Sequence, residues 1–217
     1  MSFQLPRESI EALAGPLGDA QAECLTEYGR TIVSASRYVN LVSRRSLENL
    51  PEHFIDSAAL LTFAEPDADG LGDLGSGAGL PGVVVAILRP SVDVTLVDSR
   101  RSKVVFLKEM KRRLQLENVS VEHGRLQDLA GELELGLATA RALGSLEDVL
   151  APCLRLLATG GRLVLFKGPI WAEEAASARR IAATEGAEIS RTERIELPGL
   201  GRATTFVEFH VKRSADK

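Results

Sequence analysis

The chain has 217 residues, 45% of them hydrophobic and 26% charged, with a formal net charge of −4, which suits one soluble α/β domain plus an extension. The acidic balance argues against a protein that coats nucleic acid without specificity, and no apolar run approaches the roughly 18 residues needed to cross a bilayer. The first residues lack the basic-then-apolar layout of a signal peptide, and the two cysteines, Cys24 and Cys153, offer neither a disulfide framework nor metal-ligand spacing, so a cytoplasmic protein with no metal and no membrane contact is expected.

Residues 8–65 carry helical signals: Ala-rich segments, a Tyr28/Ile32 pair at i,i+4 and no alternating runs. Glu65-Pro66-Asp67-Ala68-Asp69-Gly70 breaks the pattern and marks a junction. The expected organisation is therefore a helical extension, 1–65, joined to a domain spanning 66–217, the two forming one compact unit. Beyond the junction the pattern alternates in the βαβ manner. Leu71–Leu74 reads as a first strand, residues 82–89 as a helix stopped before Pro90, and 93–97 as a second strand ending at Asp98. Ser102 to Leu116 reads as an amphipathic helix with Val105, Phe106, Met110 and Leu114 as its apolar stripe. A third strand follows at 119–122, a fourth at 135–140, and a helix over 145–157 that stops at Thr159-Gly160-Gly161. Arg162–Phe166 is a fifth strand, 172–185 a helix, and the alternating runs 187–196 and 203–212 around Pro198-Gly199-Leu200-Gly201 read as a closing antiparallel hairpin.

This order predicts an open, mostly parallel sheet with helices on both faces, Rossmann-like, ending in a β-hairpin. Ligands of such sheets sit at the carboxyl ends of the strands, where Asp73, Asp98, the 123–128 turn and Arg141 all fall. The densest signal is Gly70-Leu-Gly-Asp-Leu-Gly-Ser-Gly-Ala-Gly-Leu-Pro-Gly82. Gly75, Gly77, Gly79 and Gly82 remove side chains that would keep backbone away from a ligand, and the apolar run Val83–Leu88 is expected to present free helix N–H groups to it. Two ligand classes compete for this loop. Gly77, Gly79 and Gly82 satisfy a dinucleotide-type G-x-G-x-x-G, with Asp98 near the spacing of a ribose-binding acid, so a nicotinamide dehydrogenase is a rival. Asp73, directly before the glycines, favours the cationic S-adenosylmethionine over a pyrophosphate. A basic run, Arg100, Arg101, Lys103, Lys108 and Lys111–Arg113, reads either as RNA-facing or as the solvated side of its helix.

Asp73-Leu-Gly-Ser-Gly-Ala-Gly-Leu-Pro-Gly82, with Leu88-Arg89-Pro90 and Leu96-Val97-Asp98-Ser99, resembles the bacterial small-subunit ribosomal RNA guanine-N7 methyltransferases, the RsmG or glucose-inhibited division protein B family. Val39-Asn40-Leu41 and His53-Phe54-Ile55-Asp56-Ser57 resemble that family's Asn-Leu-Thr and His-Ile-Leu-Asp-Ser elements, and Lys103–Leu107, Arg141-Ala142, Lys167-Gly168 and Arg202 match in order. The chain departs from the family where Ala35-Ser36 replace Trp-Asn, where Gly136 replaces an acid before Arg141, and where Arg125-Leu126-Gln127-Asp128 replaces Arg-x-Glu-Glu. The resemblance implies a class I methyltransferase that carries the methyl group of S-adenosylmethionine to N7 of a guanine in 16S ribosomal RNA, working as a monomer on small-subunit RNA or the ribosomal particle. Methyl transfer to another acceptor is the main alternative.

Guanine N7 already carries an in-plane lone pair on the major-groove edge, so the reaction needs alignment and water exclusion rather than a general base. For the cofactor, the resemblance implies Asp98 at the ribose, backbone at Gly75, Gly77, Gly79 and Leu80 around the methionine portion, Leu126 and Gln127 at the adenine edge, and Arg141 between cofactor and guanine. Arg141, Arg125 and Lys167 are the expected substrate-orienting residues, and Arg101, Lys103 and Arg202 the expected RNA contacts. His53 is expected to be a packing or helix-contact residue. Cys153 lies among apolar neighbours rather than after the fourth strand, and is expected to be an inert buried thiol.

Overall fold

A computed structural model of the protein describes residues 2–67, 69–168 and 170–212; Ala68 of the expected junction lies outside them. Four helices come first: α1 (Arg7–Ala14), α2 (Asp19–Ala35), α3 (Arg44–Glu48) and α4 (Leu50–Phe63). Then follow β1 (Leu71–Leu74), α5 (Gly82–Leu88), β2 (Val94–Asp98), α6 (Arg101–Arg113), β3 (Val119–His123), β4 (Leu135–Ala140), α7 (Leu146–Arg155), β5 (Leu157–Lys167), α8 (Trp171–Thr184), β6 (Ala187–Leu197) and β7 (Arg202–Val211). The seven strands form one sheet in the order β3-β2-β1-β4-β5-β7-β6, with β1 to β5 parallel. β7 runs antiparallel between β5 and β6. The order reverses between β1 and β4, which opens a crevice at their carboxyl ends.

Two apolar layers sandwich the sheet, and the strands show why. On β5, Val164 points into one core while Leu163 and Leu165 point into the other; on β7, Phe206 is separated in the same way from Val207 and Phe209. That is the two-residue alternation of a strand buried on both faces. The first core gathers α1, α2, α4, α5 and α6, with Tyr28, Phe54, Val84 and Leu107 fully or almost fully buried; the second gathers α7 and α8. Phe54 is clamped between Phe3 and Tyr28, at ring-centroid distances of 4.8 and 5.4 Å.

Two expectations change. Val105 is 60% exposed, and α6 buries Val104, Phe106, Leu107 and Met110 instead. Two adjacent valines fit an apolar stripe almost equally well, and only packing decides which one faces the sheet. The helix also closes at Arg113 because Gln115 takes φ +53°. β5 begins at Leu157, not Arg162: its register against β4 shifts between the Leu135–Leu157 and Leu137–Arg162 pairs, and Gly160 takes φ +82° within that irregularity. The Thr-Gly-Gly read as a stop is a bulge inside the strand.

Candidate active site

The glycine loop leaves β1 at Leu74 and enters α5 at Gly82. Gly75, Gly77 and Gly79 have φ of +73°, +61° and +94°, in the left-handed region that a side chain disfavours. A Cβ at Gly79 would stand 2.6 Å from Val83 Cγ2 and 2.8 Å from Tyr28 Oη. The loop is pinned from three sides: Ser76 Oγ donates to Asp73 O at 2.7 Å, Val97 N donates back to Ser76 Oγ at 3.0 Å, and the buried Tyr28 hydroxyl donates to Ala78 O at 2.6 Å.

Asp73 does a different job from the one its sequence position suggested. Its side chain is turned beneath the loop, 1% exposed, and Oδ2 accepts the Gly82 N–H at 3.0 Å. Burial raises its pKa to about 6, against the opposing pull of the Gly82 amide and Arg141. Asp73 therefore closes the N-terminus of α5 rather than facing a ligand. For the same reason the start of α5 is not a set of free donors: Gly82 N is taken by Asp73, and Val83 N by Gly79 O at 2.8 Å.

Two clefts flank the loop. The smaller, about 360 Å³, is bordered by Asp98, Arg125, Leu126 and Gln127; the larger, about 550 Å³, by Gly77, Leu80, Arg141, Phe166 and Lys167. Gly75, Lys103 and Ala142 line both, so the two are one continuous groove across the carboxyl ends of the strands. Asp98 is 6% exposed, its Oδ2 accepting Gly77 N at 2.9 Å and its Oδ1 accepting Arg100 N at 2.8 Å, with Lys103 Nζ 3.9 Å away. Each carboxylate oxygen keeps a further lone pair for a ligand hydroxyl. Gly79 lines neither cleft and serves packing. Arg125 sits in the smaller cleft, apart from Arg141 and Lys167, and Arg101 is exposed on the first turn of α6.

The wall of the larger cleft is held by Asp56 of α4. Thr204 Oγ1 donates to Asp56 Oδ1 at 2.5 Å; Arg202 Nη1 and Nη2 donate to Oδ1 and Oδ2 at 3.4 and 3.3 Å; Arg141 Nη1 lies 3.8 Å from Oδ2. Burial works to raise the Asp56 pKa, but the neighbouring His53 and the Thr204 and Arg202 donors outweigh it and hold it down at about 2. Arg202 is also tied to Glu52 Oε2 at 2.9 Å. Arg141 stands over the Phe166 ring at 5.9 Å. Burial lowers its pKa, while Asp56 and Asp73 oppose that loss, and it remains a cation. Lys167 Nζ pairs with Glu174 at 2.7 Å and lies 5.9 Å from the Trp171 ring.

His53, expected to be a packing or helix-contact residue, borders the larger cleft, with Nδ1 3.1 Å from Arg141 Nη1. The resemblance quoted Asp56 without giving it a role. The sequence signal was present: Asp56 is the one carboxylate in an α4 segment, Phe54–Leu61, that is buried throughout. Cys153 is fully buried, and burial pushes its thiol to about 12, the environment of an unreactive thiol. Among the described residues no group of three His, Cys, Asp or Glu side chains is arranged to hold a metal ion, and no helix is long and apolar enough to cross a membrane.

Residues 21–198 match the family model described as GidB, rRNA small subunit methyltransferase G. The chain belongs to this family. Among its curated relatives, ribosomal RNA small subunit methyltransferase G of Lactobacillus helveticus is 34% identical, over 88% of this chain and 83% of the relative. The Thermobifida fusca protein of the same name is also 34% identical, over 85% and 82%. The fold is that of the class I methyltransferases: M. jannaschii TYW2, solved in complex with AdoMet, superposes with a TM-score of 0.57 at 14% identity, over 80% of this chain and 78% of that one.

Proposed function

We propose that the chain transfers the methyl group of S-adenosylmethionine to N7 of a guanine in small-subunit ribosomal RNA, as a monomer in the cytoplasm. The observation that carries this reading is the meeting of the two clefts at Gly75, Lys103 and Ala142. A nucleoside fits the Asp98 side, an acceptor base fits the Arg141 side, and a transferable group would lie between them. Membership of the family supplies the reaction class.

The residues fit the cofactor. Asp98 would take the ribose hydroxyls, Leu126 and Gln127 the adenine edge, and backbone at Gly75, Gly77 and Leu80 the methionine portion, with Gly79 packed behind them. Gly77 suits that contact because the position where its side chain would be is uncrowded, with Lys103 Nζ at 3.5 Å and Gly75 O at 3.8 Å as its nearest neighbours. When bound, S-adenosylmethionine supplies an electrophilic methyl carbon on a positive sulfonium. The N7 lone pair is free without deprotonation, so the protein needs no base. Its contribution is orientation and exclusion of water. Arg141, held by Asp56 and His53, would donate to the guanine beside the reacting nitrogen. Lys167 and Arg202 would hold the nucleotide from the far wall, Lys103 and Arg101 would meet phosphate, and Arg125 would act from the adenosyl side. The extension, 1–65, is part of this machinery, since it provides Tyr28, His53 and Asp56.

Calorimetric titration with S-adenosylhomocysteine and with NAD tests the cofactor assignment. Binding of the first and not the second is expected, and Asp98→Ala should weaken it by ~1–3 kcal/mol. Labelled S-adenosylmethionine with undermethylated small subunits tests the acceptor: label is expected on a guanine N7, and label elsewhere would overturn it.

A further inference from the structure

Among the described residues three large apolar side chains are exposed, Tyr38, Val105 and Ile170. Tyr38 and Ile170 belong to segments that border the larger cleft. Tyr38 stands on the stretch between α2 and α3, of which Leu41, Val42 and Ser43 line that cleft together with Ser46 of α3. Its ring is 88% exposed, and its hydroxyl has no hydrogen-bond partner among the described residues. Arg37 beside it and Arg44 and Arg45 at the start of α3 are exposed, and Glu48, the one acid in residues 36–49, pairs with Arg44 at 3.4 Å. Arg37 and Arg45 have no ion pair among the described residues. In a chain of net charge −4, this is a local cationic edge carrying one unpacked aromatic ring.

A single exposed tyrosine needs no explanation. An exposed aromatic among unpaired arginines, at the mouth of a cleft, has the composition of a single-strand RNA platform: the ring stacks on a base, and the guanidinium groups hold the backbone. A target guanine can reach N7 chemistry in the cleft only if its strand is unstacked, and the flanking bases then lose their own stacking partners. We propose that residues 37–45 form an RNA-docking rim on which Tyr38 stacks against a base flanking the target guanine, while Arg37 and Arg45 take the adjoining phosphates. This rests on the proposed function and adds to it a specific substrate contact outside the catalytic groove. Arg44, already paired with Glu48, contributes less.

The test is steady-state methyl transfer to undermethylated small subunits by the full chain and its variants. Tyr38→Ala is expected to raise KM for the particle about tenfold, as loss of one stacked base would, with kcat and S-adenosylhomocysteine affinity within twofold of wild type. Tyr38→Phe keeps the ring and should restore KM. Arg37→Ala combined with Arg45→Ala should flatten the dependence of log KM on log salt, since two phosphate contacts are removed. An unchanged KM in Tyr38→Ala would overturn the rim, as would an equal rise in Tyr38→Phe or a fall in cofactor affinity that accounts for the defect. A wild-type chain that binds S-adenosylhomocysteine yet labels no subunit would overturn the rim and the proposed acceptor together. The two failures are therefore separable.

Discussion

On the loop side of the groove, polar groups are satisfied mainly by backbone and by short side chains of one βαβ unit, with Tyr28 reaching Ala78 O from α2. Ser76 bonds to Asp73 and Val97, Asp73 caps Gly82, and Asp98 binds Gly77 and Arg100. The opposite wall is made of long charged side chains from distant elements: Asp56 of α4 meets Arg202 and Thr204 of β7, 146 and 148 residues later, and faces Arg141 after β4. A backbone cradle holds a ligand of constant shape, because its geometry is fixed by φ and ψ. A side-chain wall can be tuned residue by residue to an acceptor. The division fits the proposed function, with the cofactor on the loop side and the acceptor on the side-chain wall.

If the division is real, substitutions on the two sides should fail differently. The largest effect is expected at Gly79, where Gly79→Val meets both a left-handed φ and contacts below 3 Å with Val83 and Tyr28. Strain and overpacking together should cost about 4 kcal/mol in denaturant unfolding, with cofactor affinity falling as the loop is displaced. Arg141→Met comes next. It should lower methyl transfer by about 100-fold, on the order of the loss of a charged hydrogen bond, while S-adenosylhomocysteine affinity changes less than threefold. Cofactor affinity collapsing with Arg141, or transfer surviving its loss, would break the comparison.

The smallest effect is one of pH. Asp56 is held at about 2 in the folded chain, below an unfolded carboxylate near 3.9. Its contribution to stability is therefore present above that ordinary value and is lost as pH falls from about 4 to about 2. It amounts to roughly 2 kcal/mol. Comparing unfolding of wild type and Asp56→Asn across that range should show the difference shrinking toward acid; a constant difference would remove Asp56 from its assigned place.

What the sequence disclosed follows the same division. The succession of strands and helices, the hairpin and the loop with Asp98 were legible because they depend on periodicity and on residues within one βαβ unit. The wall was not, since no local pattern states that Arg202 reaches back to Glu52 and Asp56, or that His53 meets Arg141. Asp73 was placed correctly and misjudged chemically: a carboxylate before a glycine loop looks the same in sequence whether it faces a ligand or the next helix. Val104 and Val105 show the limit of an apolar stripe, because one residue of helix rotation is about 100°.

The hydrogen bond from the buried Tyr28 hydroxyl to Ala78 O makes α2 and the glycine loop a single opening unit. Neither can fray without exposing the other's polar atom to an apolar surrounding. A ligand that settles the loop is therefore expected to slow solvent exchange at amides of α2 that it never touches. Cofactor occupancy would be readable from the N-terminal helices alone.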